Sequence, residues 1–235
     1  RRKSSQHQVI RAVLLAGQIL LTDGKFGIAR LQEIGFLQQY EGPATLDRMK
    51  SAANYFSGSE KKGCHEIAVG NPAVIDCEIT FPGRMTLGNG KEINAARVDL
   101  ASLEAVGTEA ARLVFWEAKH FSNGDLRAAG KQPAQVVYQV KGYESYLAAN
   151  LTKVLKSYQR VAENLMAING IRHDTLVAKV STGKQLTLGD PSVGLIIFGF
   201  DEAQRNDPVW KCHLTKIQDQ RIRVLARGDP KSIRL

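Results

Sequence analysis

The sequence predicts an α/β fold, with a mixed central β-sheet flanked by helices. Three observations indicate this class. Segments 71–83, 96–104 and 111–121 are rich in β-forming residues and predict a three-strand meander. A long helical pattern over 135–168 follows, with an expected break at the "AAN" of 148–150. Two further strands are predicted at 193–200 and 222–228, with a helix at 208–219 between them.

The N-terminal part of the chain is predicted to be a separate helical region. Apolar spacing predicts helices over 8–22 and 28–40, separated at "TDGKFG", and a third helix over 45–56. Pro43 near the start of the third helix and Gly58 past its end are typical boundary signals. We therefore expect an N-terminal helical region at 1–58 and a core at 59–235.

Two short segments of the core have specific signals. "LGNGKEI" contains Asn89-Gly90, a pair that favours a tight β-hairpin turn. "VGLIIFGF" is apolar without alternation, which is typical of a strand buried on both faces. The core should therefore contain a hairpin outside the helical segments and a central strand near its C-terminal end.

Composition and net charge indicate that the chain folds and what kind of partner it binds. The 235 residues are 43% hydrophobic, which is enough to bury a core, so wholesale disorder is not expected. The formal net charge of +9 and the pI near 9.5 favour an anionic partner: nucleic acid, an acidic protein or a lipid surface.

Disulfides, zinc and a membrane span are not expected. Cys64, Cys77 and Cys212 are an odd number without CxxC spacing, which fits a reducing cytoplasm. The Cys-His pairs at 64–65 and 212–213 lack the ligand spacing of structural zinc sites. The N-terminal stretch resembles a signal peptide, but Arg11 and Gln18 interrupt its apolar run. No run reaches the ~18 apolar residues that a span needs, so we expect a cytoplasmic protein without a membrane partner.

An acid and a base share one face of an apolar strand in "VFWEAKH". Alternate residues of a strand point the same way, so Glu117 and Lys119 lie side by side. Asp99 lies in the middle of the preceding strand, and antiparallel pairing would bring it beside Glu117. Buried carboxylates repel unless a cation lies between them, and oxygen ligands favour Mg²⁺ or Mn²⁺. The alternative is an ion pair on an exposed edge, with Asp99 an incidental polar residue.

These residues also form the pattern of a known superfamily. Asp99, followed by Glu117-Ala118-Lys119 on the next strand, resembles the PD-(D/E)xK nucleases. The segment from Gln139 to Tyr143 resembles the QxxxY motif of the lambda-exonuclease-like branch, and its two ends share one helical face. The resemblance covers roughly 66–147 and implies a restriction-endonuclease-like core. One departure is Val98, which stands where a proline often precedes the first acid.

The resemblance implies a role for each matching residue. Asp99 and Glu117 would hold the metal, with the carbonyl of Ala118 as a further ligand. Lys119 would orient the attacking water or help to deprotonate it. Gln139 and Tyr143 would brace the site and contact the nucleic-acid backbone.

Further candidates surround the motifs. The branch often has one more acid upstream, for which Glu66 is the first choice and Glu78 the second; a structural or solvated role for either stays open. Basic and amide side chains commonly bind phosphate. Two or three of the following should contact the nucleic-acid backbone: Arg97, Asn123, Arg127, Lys131 and Lys141.

The residues and the resemblance together predict a nuclease that uses Mg²⁺ or Mn²⁺ to hydrolyse phosphodiester bonds, in DNA in preference to RNA. Bacterial proteins that this chain resembles often belong to restriction, repair or phage-defence machinery, and its residues do not select among these roles. One alternative is a catalytically silent nuclease fold that binds nucleic acid or a partner protein. Another is an interaction domain with a surface ion pair. The N-terminal helices would flank the core, or dock it onto a second copy, a partner protein or a domain absent from the sequence.

Overall fold

The strands that the structure describes are β1 (Val74–Thr80), β2 (Arg84–Thr86), β3 (Glu92–Asn94), β4 (Arg97–Val106), β5 (Ala110–His120), β6 (Gln185–Phe198) and β7 (Arg223–Ala226). The helices are α1 (Ser59–Gly70), α2 (Gln135–Ala149), α3 (Leu151–Ala167), α4 (Thr175–Ser181), α5 (Glu202–Asn206) and α6 (Pro208–Gln218). Two 3₁₀ turns lie at Gly124–Leu126 and Pro230–Ser232.

The computed structural model describes Pro43 and residues 58–94, 96–108, 110–130, 132–168 and 173–235. The predicted helices at 8–22, 28–40 and 45–56 lie outside the described residues. The division of the chain at residue 58 stays a prediction.

Five strands form one mixed sheet in the order β1-β4-β5-β6-β7. β1, β4 and β5 pair antiparallel, as a meander does, whereas β5, β6 and β7 pair parallel. The parallel pair β5–β6 requires a long crossover, which α2, α3 and α4 provide. The prediction of an α/β fold with a mixed central sheet is therefore confirmed.

Alternation along β5 divides the core into two clusters. Leu113 and Phe115 pack in a large cluster with residues of α2, α3, α4 and α6. Trp116 and Ala118 pack in a smaller cluster with Ile67 of α1 and with the C-terminal segment. The second cluster holds α1 against the sheet, so that its first turn lies near the end of β5.

The predicted Asn-Gly hairpin is β2–β3, which forms a two-stranded sheet of its own. Gly90 in its turn has a φ of 81°, a conformation that glycine adopts without strain. The amide of Gly88 donates to the carbonyl of Tyr138 at 3.0 Å, which joins the hairpin to α2. The break in the long helical segment is also where it was predicted, since α2 ends at Ala149 and α3 begins at Leu151.

Four elements differ from the sequence prediction. β6 begins at Gln185, eight residues before the predicted start at 193, and its first half contains the cis peptide Asp190-Pro191. The helices α1, α4 and α5 were not predicted, because none of them has a long apolar stripe together with clear signals at both ends. No helix of the described residues is long and apolar enough to cross a membrane.

Candidate active site

A cleft opens where β4 stops pairing with β5. The register between the two strands ends at Leu100 and Trp116, although β4 continues to pair with β1 as far as Arg97. Beyond that point the carboxylate of Asp99 takes the place of a backbone acceptor, and its Oδ2 accepts from the amide of Ala118 at 2.7 Å. The predicted proximity of the two acid-bearing strand segments is therefore observed, with Asp99 fixed by β5 itself.

Glu117 and Lys119 lie side by side in this cleft, which has a volume of about 350 Å³. The ammonium of Lys119 is 2.7 Å from Oε1 of Glu117. The two residues are only 2% and 8% exposed, so they do not form an ion pair on an open edge. Glu117 Oε2 is buried and has no hydrogen-bond partner among the described residues. Such an orphan oxygen is costly unless a donor or a cation satisfies it.

The pKa values of both carboxyl groups are raised. Burial raises the pKa of Asp99 to about 6, against the opposing effects of the Ala118 amide and the Lys119 ammonium. Burial, followed by the charge of Asp99, raises the pKa of Glu117 to about 8, although Lys119 opposes this shift. Burial by itself would lower the pKa of Lys119, but the charges of Glu117, Glu60 and Asp99 raise it overall. Both carboxyl groups in the cleft therefore hold a proton more readily than free carboxyl groups do.

Glu60 is a third acid in the cleft, and the sequence did not indicate it. Its Oε1 is 3.9 Å from the Lys119 ammonium, and its Oε2 accepts from the His120 amide at 3.2 Å and from Asn123 Nδ2 at 2.9 Å. The first-choice acid, Glu66, lies on the same helix but away from the cleft lining, 3.8 Å from the Lys231 ammonium. Residues six apart on a helix point to different faces, so only one of the two acids can face the cleft.

The second-choice acid, Glu78, does line the cleft. Its Oε2 accepts from Arg97 Nη1 at 2.8 Å at the rim. Its φ of 55° is unusual for a residue with a side chain in the middle of a strand. The position therefore combines backbone strain with a partner that was itself predicted to bind phosphate.

Gln139 and Tyr143 lie on one face of α2, as the spacing predicts. Gln139 lines the cleft, and its Nε2 donates to the Tyr143 hydroxyl at 2.7 Å. The hydroxyl in turn donates to the carbonyl of Arg97, which ties α2 to the start of β4. Burial, followed by the charge of Glu117, raises the pKa of Tyr143. Because Tyr143 is 1% exposed, its contacts are internal, and of the two residues Gln139 is the one that lines the cleft.

The predicted phosphate-binding residues are placed differently from one another. Arg97 lines the cleft and pairs with Glu78, and Asn123 is bound to Glu60 at the cleft wall. Arg127 lies over the rings of Phe121 and Trp210, with its guanidinium carbon 4.6 and 4.7 Å from their centroids.

The two predicted lysines lie elsewhere. Lys141 pairs with Glu144 at 2.9 Å and is not part of the cleft lining, and Lys131 lies outside the described residues. Lys61, which the sequence did not indicate, lines the cleft. Among the residues that the structure describes, the cationic groups in the cleft lining are Lys61, Arg97 and Lys119.

The donor set fits a hard divalent ion that completes its shell with water and substrate. In the described ranges, no three His, Cys, Asp or Glu side chains are grouped to hold a metal by themselves. Asp99 and Glu117 provide two carboxylates, and Glu117 Oε2 is an orphan oxygen. Mg²⁺ is often bound by one or two carboxylates together with substrate phosphates. These residues therefore suit Mg²⁺ better than a metal that needs a complete protein shell.

Comparison of the chain with protein-family models, with curated proteins and with solved structures found no match in any of the three.

Proposed function

We propose that this chain is a Mg²⁺-dependent nuclease that hydrolyses phosphodiester bonds in DNA, with a restriction-endonuclease-like core. One observation carries the proposal: the buried Glu117 and the half-buried Asp99, both with raised pKa values, line one cleft together with the buried Lys119. Burying these charges costs stability unless a cation and an anionic substrate use them. Perturbed pKa values of this kind concentrate at functional sites.

Each residue of the cleft has a definite chemical role in this proposal. Asp99 Oδ1 and Glu117 Oε2 are the oxygens left to hold the ion, because Asp99 Oδ2 and Glu117 Oε1 are bound to Ala118 and Lys119. When bound, Mg²⁺ stabilises charge on a phosphoryl oxygen and lowers the pKa of a nearby water. Hydrolysis joins the oxygen of a water to phosphorus and breaks the bond between phosphorus and the sugar oxygen. The attacking water gives up one proton to solvent, and the departing sugar oxygen takes one.

Lys119 acts on the attacking water as a donor. Its neighbours raise its pKa, so the ammonium keeps its proton at neutral pH and cannot serve as the base. A charged ammonium can orient the water and stabilise charge that develops on the phosphate. Of the two roles predicted for this lysine, orientation is the one that its surroundings support.

A second candidate function is a catalytically silent fold that binds DNA. The 2.7 Å pair between Glu117 and Lys119 supports it, because this pair neutralises both residues without a metal. The two candidates differ in one respect that can be measured. An active enzyme cuts only when the divalent ion is present, whereas the silent fold binds DNA without cutting it.

The deciding experiment is cleavage of supercoiled, linear and single-stranded DNA with Mg²⁺, Mn²⁺ or EDTA. Wild type should cut with either metal and stop with EDTA, and Lys119→Ala should abolish cutting while the protein stays folded. Lys231→Ala is the matched control, because Lys231 also lies near a glutamate but outside the cleft. If Lys119→Ala cuts as fast as wild type, the role given to this lysine is wrong. If wild type binds these DNAs without cutting them, the silent fold is favoured.

A further inference from the structure

Arg127 is held in a fixed position beside the cleft. Its guanidinium carbon lies 4.6 Å from the centroid of the Phe121 ring and 4.7 Å from that of Trp210. The two rings themselves pack edge to face at 4.9 Å. Phe121 directly follows β5, and Trp210 lies on α6, so the two rings that contact the guanidinium come from distant parts of the chain. Stacking of this kind suits the flat guanidinium of arginine better than the ammonium of lysine.

The loop that carries Arg127 is joined to the cleft wall. Arg127 Nη1 donates to the carbonyl of Asn123 at 3.5 Å, and the side chain of Asn123 donates to Glu60 at 2.9 Å. Asn123 Oδ1 also accepts from the Asp125 amide at 2.9 Å and caps the 3₁₀ turn that precedes Arg127. The guanidinium is thus two contacts away from an acid that lines the cleft.

The guanidinium of Arg127 forms no salt bridge with a carboxylate of the described residues. Arg97, Arg112 and Arg223 each form a salt bridge with a glutamate. Among the residues that the structure describes, Arg127 forms none, and its polar contact is with a carbonyl oxygen. Burial lowers the pKa of Arg127, and the charge of Asp207 opposes this effect, but an arginine stays protonated at any physiological pH. A fixed guanidinium without a carboxylate partner is prepared to bind an oxyanion.

We propose that Arg127 is a preformed anchor for a phosphate group of DNA on the strand that leaves the cleft, seated by Phe121 and Trp210. This inference rests on the proposed function, because the cleft then holds one phosphodiester of the same strand. The anchor makes its contact outside the reacting centre, so it sets affinity and register and takes no part in the chemical step. Preorganisation by the two rings reduces the side-chain entropy that a lone arginine would lose on binding.

The test is the salt dependence of DNA binding, measured by fluorescence anisotropy in EDTA so that the DNA is not cut. Each phosphate contact contributes about 0.9 to the slope of log affinity against log salt for duplex DNA, and about 0.7 for a single strand. Arg127→Ala should reduce the slope by about one contact and weaken binding at every salt concentration. Arg127→Lys should keep the slope, since it keeps the charge, but bind more weakly than wild type. Melting temperatures of both variants establish that they are folded.

Arg112→Ala is the matched control. Arg112 is also an arginine, but it pairs with Glu104 and lies near the start of β5, at the opposite end of the strand from Lys119. Its removal should leave both affinity and slope at the wild-type values. The anchor is ruled out if Arg127→Ala binds with wild-type slope and affinity, if Arg112→Ala has the same effect, or if wild type binds no DNA.

The source of the phosphate is decided by the DNA that is used. If Arg127→Ala loses affinity for closed circular DNA, the anchored group is an internal phosphodiester. If it loses affinity only for DNA ends with a 5′-phosphate, and not for ends with a 5′-hydroxyl, the anchored group is a terminal phosphate. Either result supports the anchor. Failure of the Arg127 anchor and failure of the proposed nuclease activity give different results. A wild type that binds through Arg127 but does not cut with Mg²⁺ refutes the nuclease and keeps the anchor. A wild type that cuts, with an Arg127→Ala slope that is unchanged, refutes the anchor alone.

Discussion

Gly63 sets how closely α1 approaches the sheet, and Gly63→Ala tests whether this approach positions Glu60. A Cβ at residue 63 would lie 2.0, 2.3 and 2.8 Å from three atoms of the Phe198 ring. Packed carbon atoms stay about 3.5–4.0 Å apart, so helix and ring would have to separate by roughly 1.5 Å. Phe198 is buried, and its ring packs against His120 with centroids 5.8 Å apart, which leaves the ring little space to move. The helix is therefore the element that shifts.

The displacement has consequences for both stability and activity. Overpacking of a core costs about 1–3 kcal/mol. In a domain of this size, each kcal/mol lowers the melting temperature by about 2–4 °C, so we expect a decrease of several degrees. The shift also carries Glu60 away from its bonds to the His120 amide and Asn123 and from the Lys119 ammonium. A misplacement of about 1 Å can cost on the order of 100-fold in rate, and we expect Mg²⁺-dependent cutting to fall by about that factor.

The assay combines thermal melting with initial rates of DNA cleavage. Gly70→Ala is the control: it lies on the same helix, a Cβ added there would meet no atom within 4 Å, and alanine favours helix at that position. Phe198→Val removes the three ring atoms that clash, so in combination with Gly63→Ala it should cost less than the sum of the single changes. If Gly63→Ala melts and cuts like wild type, α1 does not depend on this contact and the argument for Glu60 fails.

Three further predictions follow from the cleft. Glu60→Gln should reduce the cutting rate strongly, whereas Glu66→Gln, on another face of the same helix, should not; equal rates for the two variants would contradict the placement of Glu60 at the site. Glu78→Gly relieves a φ of 55° and loses only a partly exposed ion pair worth about 0–1 kcal/mol. Denaturant unfolding should therefore show a stability equal to or above wild type, and a loss of more than about 1 kcal/mol would argue against strain there. The pKa values of Asp99 and Glu117 are raised to about 6 and about 8, above their unfolded values. The folded state thus binds more protons than the unfolded state. The free energy of unfolding of the metal-free protein should therefore fall as the pH rises from the ordinary carboxyl pKa values of 3.8 and 4.5 to about 8. Mg²⁺ replaces those protons, so its effect on the melting temperature should be larger at pH 8 than at pH 6, and a Mg²⁺ effect that is independent of pH would count against these two carboxylates as its ligands.

The strands of the core could be predicted because their residues alternate or are continuously apolar. Period-two patterns place Glu117 and Lys119 on one face whatever the neighbouring elements are, and the structure has them 2.7 Å apart. The proximity of Asp99 also followed from antiparallel pairing of adjacent strands. What pairing could not predict is that the Asp99 side chain replaces a backbone acceptor, since this depends on β4 leaving β5 at Leu100.

Glu60 could not be predicted, because its position depends on tertiary packing. The sequence of α1 has only a weak apolar stripe, and which of its faces meets the sheet is decided by Gly63 against Phe198 and by Ile67 in the second core cluster. Without that knowledge, the two glutamates of the helix are equivalent candidates. The role of Tyr143 depended on tertiary contacts in the same way, because its burial follows from how α2 and β4 meet.

The charges of the cleft lining connect metal binding with substrate binding. Above the pKa of Glu117, at about 8, four ionised carboxylates of the described lining face three cations, which leaves one formal negative charge: Glu60, Glu78, Asp99 and Glu117 against Lys61, Arg97 and Lys119. A phosphodiester, which is itself an anion, would be repelled by that balance. One divalent cation reverses the sign, and the cleft with one phosphodiester is then formally neutral. The electrostatics therefore predict that a phosphate enters this cleft together with the metal, whereas Arg127, outside it, can bind its phosphate without one.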